Sequence, residues 1–258
     1  MSDKERETLA EGSLISHLLE LRDRLLRSLI AVFVMFAPCA YFSDQLFTLV
    51  ALPLMDKMPK GTSMIATSIV APFMAPLKLS LLAGLFLAMP YVLYQAWAFV
   101  APGLYRHEKR FAIPLVISSI VLFYGGVAFA YFVVFPLMFA FLTSAAPHGV
   151  QVMTDMSNYL DFVLLLFFAF GIAFEIPIAT VLLAATGLVK IETMTRNRGY
   201  IVIGIFVIAA ILTPPDAVSQ CFMAVPMYLL YEGGIIMARV LLKNRLARRS
   251  EEEQSASS

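Results

Sequence analysis

FVLLLFFAFGIAFEIPIATVLLAAT, running from Phe162 to Thr186, contains a single ionisable side chain, Glu175. A helix rises about 1.5 Å per residue and the hydrocarbon core of a bilayer is about 30 Å thick, so roughly 20 apolar residues suffice to cross it. This stretch is long enough to span with tilt, and the rest of the chain has the same character. Hydrophobic residues make up 60% of the 258 residues, charged residues only 14%, and the mean hydropathy is +0.82. Soluble domains carry about a quarter charged residues. The composition therefore predicts an all-α integral membrane protein.

Working outward, six apolar runs stand out: 25–42, 73–100, 111–142, 162–186, 200–212 and 217–242. The fifth is short, and the sixth is interrupted by Glu232 and the Gly233-Gly234 pair. These two form either short spans in a locally thinned bilayer or a re-entrant hairpin around Thr213-Pro-Pro-Asp216; two short spans is the reading adopted. Residues 1–242 are then one polytopic domain, and the Ser- and Glu-rich segment 243–258 is predicted to be a disordered tail on the cytoplasmic side. Of the 19 Lys and Arg residues, all but Lys57, Lys60 and Lys78 fall on one side of this arrangement. The positive-inside rule places that side, and with it both termini, in the cytoplasm.

Some function classes are excluded at this level. No basic block points to nucleic acid. No phosphate-binding Gly-rich loop, nucleophile elbow or pair of intramembrane aspartates is present, so an enzyme is not expected. Cys39 and Cys221 both lie in apolar runs and read as small hydrophobes, not as a disulfide or metal pair. No cofactor or metal is expected.

The polar residues that remain are few. Glu175 lies near mid-membrane, where a carboxylate costs roughly 2.5–3.5 kcal/mol on insertion scales, and Pro177 two residues later disturbs the same helix. It is either a functional polar spot or a buried acid bonded to a neighbouring helix. Upstream, SLISHLLELRDRLLRS (13–28) repeats leucine at positions 14, 18, 21 and 25, the spacing of an amphipathic helix at the membrane surface before the first span. Its polar face carries Glu20, which can pair with Arg24 four residues on. The loop APGLYRHEKR (101–110) holds one carboxylate, Glu108, among Arg106, Lys109 and Arg110. By spacing alone, Glu108 is also explained by the dipole of the helix that follows. Lys78 is read as snorkelling to the interface, Asp216 as a cap for the sixth helix, Glu232 as a second intramembrane acid, and the histidines as surface residues.

Taken in order, SHLLELRDRLLRS, FVAPGLYRHEKR, FAFGIAFEIP and ILTPPD, with MIAT at 64–67 and YFVVFPL at 131–137, resemble the TatC family of twin-arginine translocase subunits over residues 13–242. The resemblance implies a non-enzymatic receptor and core subunit in a bacterial inner membrane. Such a receptor binds the twin-arginine signal peptides of folded cargo and assembles with single-span TatA- and TatB-type proteins, with self-association in a larger complex. It implies that Glu20 and Glu108 contact the arginine pair, with Arg22 and Phe99 beside them, because a carboxylate accepts the planar arginine fork bidentately and lysine offers only a point charge. It further matches Glu175 to an intramembrane glutamate, Thr213 and Gln220 to a docking surface for partner helices, and Pro53 and Asp216 to positions on the outer side. The competing reading is a proton-coupled small-solute transporter titrating at Glu175, weakened because few other ionisable groups in the spans could form a relay.

Overall fold

The computed structural model describes residues 3–55, 64–104, 112–144, 154–213 and 216–256. Among them the chain is helical, apart from turns and a single bridge between Ile65 and Asp155. Among the described residues, five helices are long and apolar enough to cross a membrane: Ile15–Tyr41, Ala71–Phe99, Ile113–Phe141, Met156–Ala185 and Ala217–Leu241. A shorter apolar helix, Arg198–Leu212, accompanies them. Contacts cluster into two compact units, residues 1–50 with 68–120 and residues 51–67 with 121–258, where the sequence reading treats 1–242 as one domain. Two of the boundaries, Val50/Ala51 and Ile120/Val121, fall inside helices, and the third, Thr67/Ser68, falls in the connection before Ala71.

In the first unit, helix α1 (Asp3–Tyr41) packs along α3 (Ala71–Leu104). Gly84 makes the approach possible, since a Cβ there would lie 2.8 Å from the Cα and N of Phe36. Small residues at such crossings let backbones come close where lipid supplies no hydrophobic drive between helices. Ser80, fully buried, donates to the Pro76 carbonyl at 2.8 Å and to the Cys39 carbonyl at 3.1 Å, stitching the same pair. The predicted surface helix and first span are not separate pieces: α1 runs unbroken through both. Nothing between Ser13 and Ser28 can stop a helix, as that stretch has neither Gly nor Pro. Helix α2 (Ser43–Met55) follows and continues two residues beyond Pro53.

The second unit is built on aromatic packing. Helix α4 (Ala112–Phe129) passes through a π-helical turn, Ala130–Val134, into α5 (Phe135–Ser144). The Phe135 amide bonds back five residues to Ala130, which widens the helix just before Pro136, whose nitrogen has no proton to donate. Opposite lies α6 (Met156–Ala173), and rings interleave between them: Phe135 with Phe167 at 5.0 Å, Phe129 with Phe170 at 5.7 Å, Phe139 with Tyr159 at 5.5 Å. Phe135 and Phe170 are fully buried. Each such ring pair adds about 0.5–1.5 kcal/mol to the burial itself.

The span quoted at the outset breaks at the expected place. Phe174 and Glu175 form a turn between α6 and α7 (Ile176–Ala185), because Pro177 cannot donate the next helical hydrogen bond. After α8 (Ile191–Arg196) and the short α9 (Arg198–Leu212), the last helix, α10 (Ala217–Ala256), departs from expectation twice. It is full length and continuous through Gly233-Gly234. Gly234 is a packing position and not a break: a Cβ on it would stand 2.8 Å from Pro177 Cα and 2.9 Å from Thr180 Cβ. The tail predicted to be disordered is helical to Ala256. Its alanine, arginine and glutamate are strong helix formers, and Arg248/Glu252 and Arg249/Glu253 set opposite charges four residues apart.

Candidate functional site

Glu20 sits on α1 in a run whose i,i+4 spacing brings Arg24 onto its own face. The Arg24 fork delivers Nε at 2.9 Å and Nη2 at 2.7 Å to the same oxygen, Oε1. Its third nitrogen, Nη1, donates to Gln95 Oε1 on α3 at 3.0 Å. Gln95 is buried and in turn donates to the Tyr91 hydroxyl at 2.7 Å, so a four-residue polar chain ties the two helices together. On the other side of the carboxylate, His17 Nδ1 lies 4.0 Å from Oε2, and the His17 ring stacks on Phe99 at 4.2 Å. Histidine 17 is thus part of the site and not an isolated surface group.

Of the predicted signal-binding set, the structure brings Glu20 and Phe99 together through His17. It does not bring Arg22 to them: Arg22 is exposed and its guanidinium lies 2.9 Å from the Asp23 carboxylate. Glu108 lies outside the described residues. Gln95 escaped the sequence reading. A glutamine inside an apolar run is a usable signal, but its partner is 71 positions away.

The second unit holds a different polar cluster. Arg198, at the start of α9, places Nη2 2.7 Å from Glu232 Oε2 and Nε 2.6 Å from Oε1, a bidentate pair onto α10. The Tyr228 hydroxyl adds a bond to Oε1 at 3.0 Å, and the buried Tyr231 donates to the Met194 carbonyl at 3.0 Å. Glu232, read from sequence as an intramembrane acid, is therefore the anchor for the α8–α9 corner. At the α9–α10 turn, the Thr213 hydroxyl donates to the Ala209 carbonyl at 2.8 Å. Asp216 accepts from the Ser219 amide at 2.7 Å, the expected cap of α10, and Gln220 is half-buried one turn on. Glu175 occupies the turn before α7 with Oε1 buried. Pro53 lies in the last turn of α2.

One residue passed over in the sequence turns out to organise a junction. Asp155 caps α6 by accepting from the amides of Ser157 and Asn158, both at 3.0 Å. Its second oxygen accepts from the Thr67 hydroxyl at 2.7 Å and the Thr67 amide at 3.0 Å. Backbone bonds from Ile65 to Thr154 and from Met156 to Ile65 complete the clasp. The Thr67 hydroxyl first, then the amides, hold this carboxyl below the usual carboxylate range, at about 2.

The geometry can be set beside known proteins. Residues 16–226 match the family model for the Sec-independent protein translocase protein TatC. A TatC from Azotobacter chroococcum is 56% identical over 86% of this chain and 87% of its own length. The Escherichia coli K12 protein of the same name is 51% identical over 88% of each. Among solved structures, a crystal structure of the twin-arginine translocase receptor TatC superposes with a TM-score of 0.79 at 39% identity, covering 87% of this chain and 98% of that one. The chain belongs to the TatC family of Sec-independent protein translocase proteins.

Proposed function

We propose that this chain captures the twin-arginine signal peptides of folded proteins with Glu20 and Glu108, as the receptor and core subunit of its translocase. As a TatC protein it is a translocase component of the inner membrane and not an enzyme. The observation that carries the reading is the state of Glu20. Its Oε1 is held by Arg24, its Oε2 lies 4.0 Å from His17 Nδ1, and 39% of the side chain is exposed. An incoming guanidinium has an oriented acceptor there, with aromatic rings beside it on which a planar cation stacks. Phe99 flanks the site through its stack on His17.

The remaining roles belong to the same proposal. Six spans with both termini in the cytoplasm put Glu20 and Glu108 on the face where the peptide arrives. Glu175 lies along the path of the peptide's apolar part. Thr213 and Gln220 mark the surface for TatA- and TatB-type single-span helices, and Pro53 and Asp216 shape the outer side. Copies of the chain associate in the full complex.

Photo-crosslinking from a reactive residue at position 108 to an Arg-Arg and a Lys-Lys signal peptide tests the core of this. The expected result is crosslinking to the first and little to the second. Equal yields from both would remove the receptor role, and saturable solute flux through the purified chain in liposomes would favour a transporter working at Glu175.

A further inference from the structure

We propose that Arg24 is a built-in competitor at Glu20, and that the Arg24–Gln95–Tyr91 chain thereby sets how strongly the site prefers arginine over lysine. The inference rests on the receptor reading above and concerns how that same site is regulated. Arg24 is 23% exposed in its side chain, and three of its nitrogen contacts are fixed: two to Glu20 Oε1 and one to Gln95. Gln95 cannot turn away, since it is 4% exposed and its amide is committed to the Tyr91 hydroxyl. The guanidinium is therefore held in place on Glu20 from a second helix, beyond what an i,i+4 pair on one helix achieves.

The consequence is electrostatic. A glutamate already paired with arginine has little net charge to offer, but Oε2 keeps its lone pairs and its direction. A lysine ammonium, a compact and strongly hydrated point charge, gains mainly from net charge, and that gain is largely cancelled. A guanidinium gains from directed hydrogen bonds and from stacking on flat rings, both of which survive the neutralisation. Here the ring beside Oε2 is His17, itself stacked on Phe99. An unopposed glutamate would attract any cation; the opposed one selects for shape.

The test uses the full-length chain in lipid nanodiscs and two fluorescent signal peptides, Arg-Arg and Lys-Lys, titrated by anisotropy. Two variants unhook the competitor in different ways. Arg24→Gln removes the opposing charge, and Gln95→Leu removes the anchor that holds it from α3. In each, Lys-Lys affinity should rise and the Arg-Arg to Lys-Lys affinity ratio should fall by about tenfold, the size of one charge-assisted hydrogen bond. An unchanged ratio in both variants, with Arg-Arg binding retained, overturns the competitor role and leaves the receptor intact. Loss of Arg-Arg binding in both folded variants also overturns it, because Arg24 would then assist binding. Failure of the wild-type chain to bind Arg-Arg above a scrambled peptide removes the receptor reading itself, and the inference with it.

Discussion

The Glu20–Arg24 and Arg198–Glu232 pairs use the same two side chains at nearly the same separation, 2.7 Å and 2.6 Å. They differ in reach. The first closes over four residues on one helix; the second joins residues 34 apart and pins the start of α9 to α10. Helix spacing brings the first together and Gln95 on α3 steadies it, but α1 is helical on its own and would keep its course without it. The second exists only if α8, α9 and α10 are in place; its carboxylate is the less exposed, Glu232 at 21% against Glu20 at 39%, and its arginine the more exposed, Arg198 at 44% against Arg24 at 23%. One pair is thus available for recognition, and the other is part of the frame.

The sharpest way to break this contrast is to remove the carboxylates. Glu20→Ala and Glu108→Ala should each weaken Arg-Arg peptide binding by on the order of a hundredfold, as loss of one partner of a charge pair does in an interface, with thermal unfolding unchanged. A parallel fall in melting temperature for Glu20→Ala would show that it too belongs to the frame. Next in size is the packing of α10 itself. Gly234→Leu forces atoms into the Pro177 backbone and should cost about 1–3 kcal/mol, read as a lowered melting temperature with peptide affinity preserved.

Smaller still, Glu232→Ala strands the Arg198 fork and the Tyr228 hydroxyl. Arg198 is 44% exposed, so water recovers part of the loss and about 1 kcal/mol is expected. The exchanged double variant, Arg198→Glu with Glu232→Arg, should regain part of it in thermal unfolding. The same exchange at positions 20 and 24 should fail to restore peptide binding, since it also takes the Arg24 donor from Gln95. Last, Asp155 has a folded pKa of about 2 against an ordinary 3.8, so its contribution is complete above the ordinary value and is lost as pH falls towards the lower one. Unfolding measured across that window should decline less steeply for Asp155→Asn than for the parent chain.

Much of the fold was legible because membrane spans are written in composition. Apolar runs marked each of the five helices long enough to cross a membrane, although the last run read as interrupted, and Pro177 marked the break at Glu175. The Glu20–Arg24 pair and the Asp216 cap were also legible, since both close within one helical turn. Asp155 could have been found as well: an Asp opening a long helical run is a helix-start signal. Its grip on Thr67 could not, because those residues are 88 apart. The two misread helix features share a cause. Gly233-Gly234 looks like a breaker until a neighbouring backbone occupies the space of the missing side chain, and the charged tail looks disordered until its spacing is read as helical.

What the amino-acid sequence determined by itself was everything set by local periodicity or by total hydrophobicity: helices, spans, caps, and the carboxylate that pairs four residues along α1. What only the tertiary structure decided was which polar groups meet across helices. Gln95 on Arg24, Glu232 on Arg198 and Thr67 on Asp155 are each a few ångströms apart in space and tens of residues apart in the chain. In an apolar setting a buried donor finds whatever acceptor the packing of helices brings to it, and that packing depends on glycines and aromatic rings far from either partner.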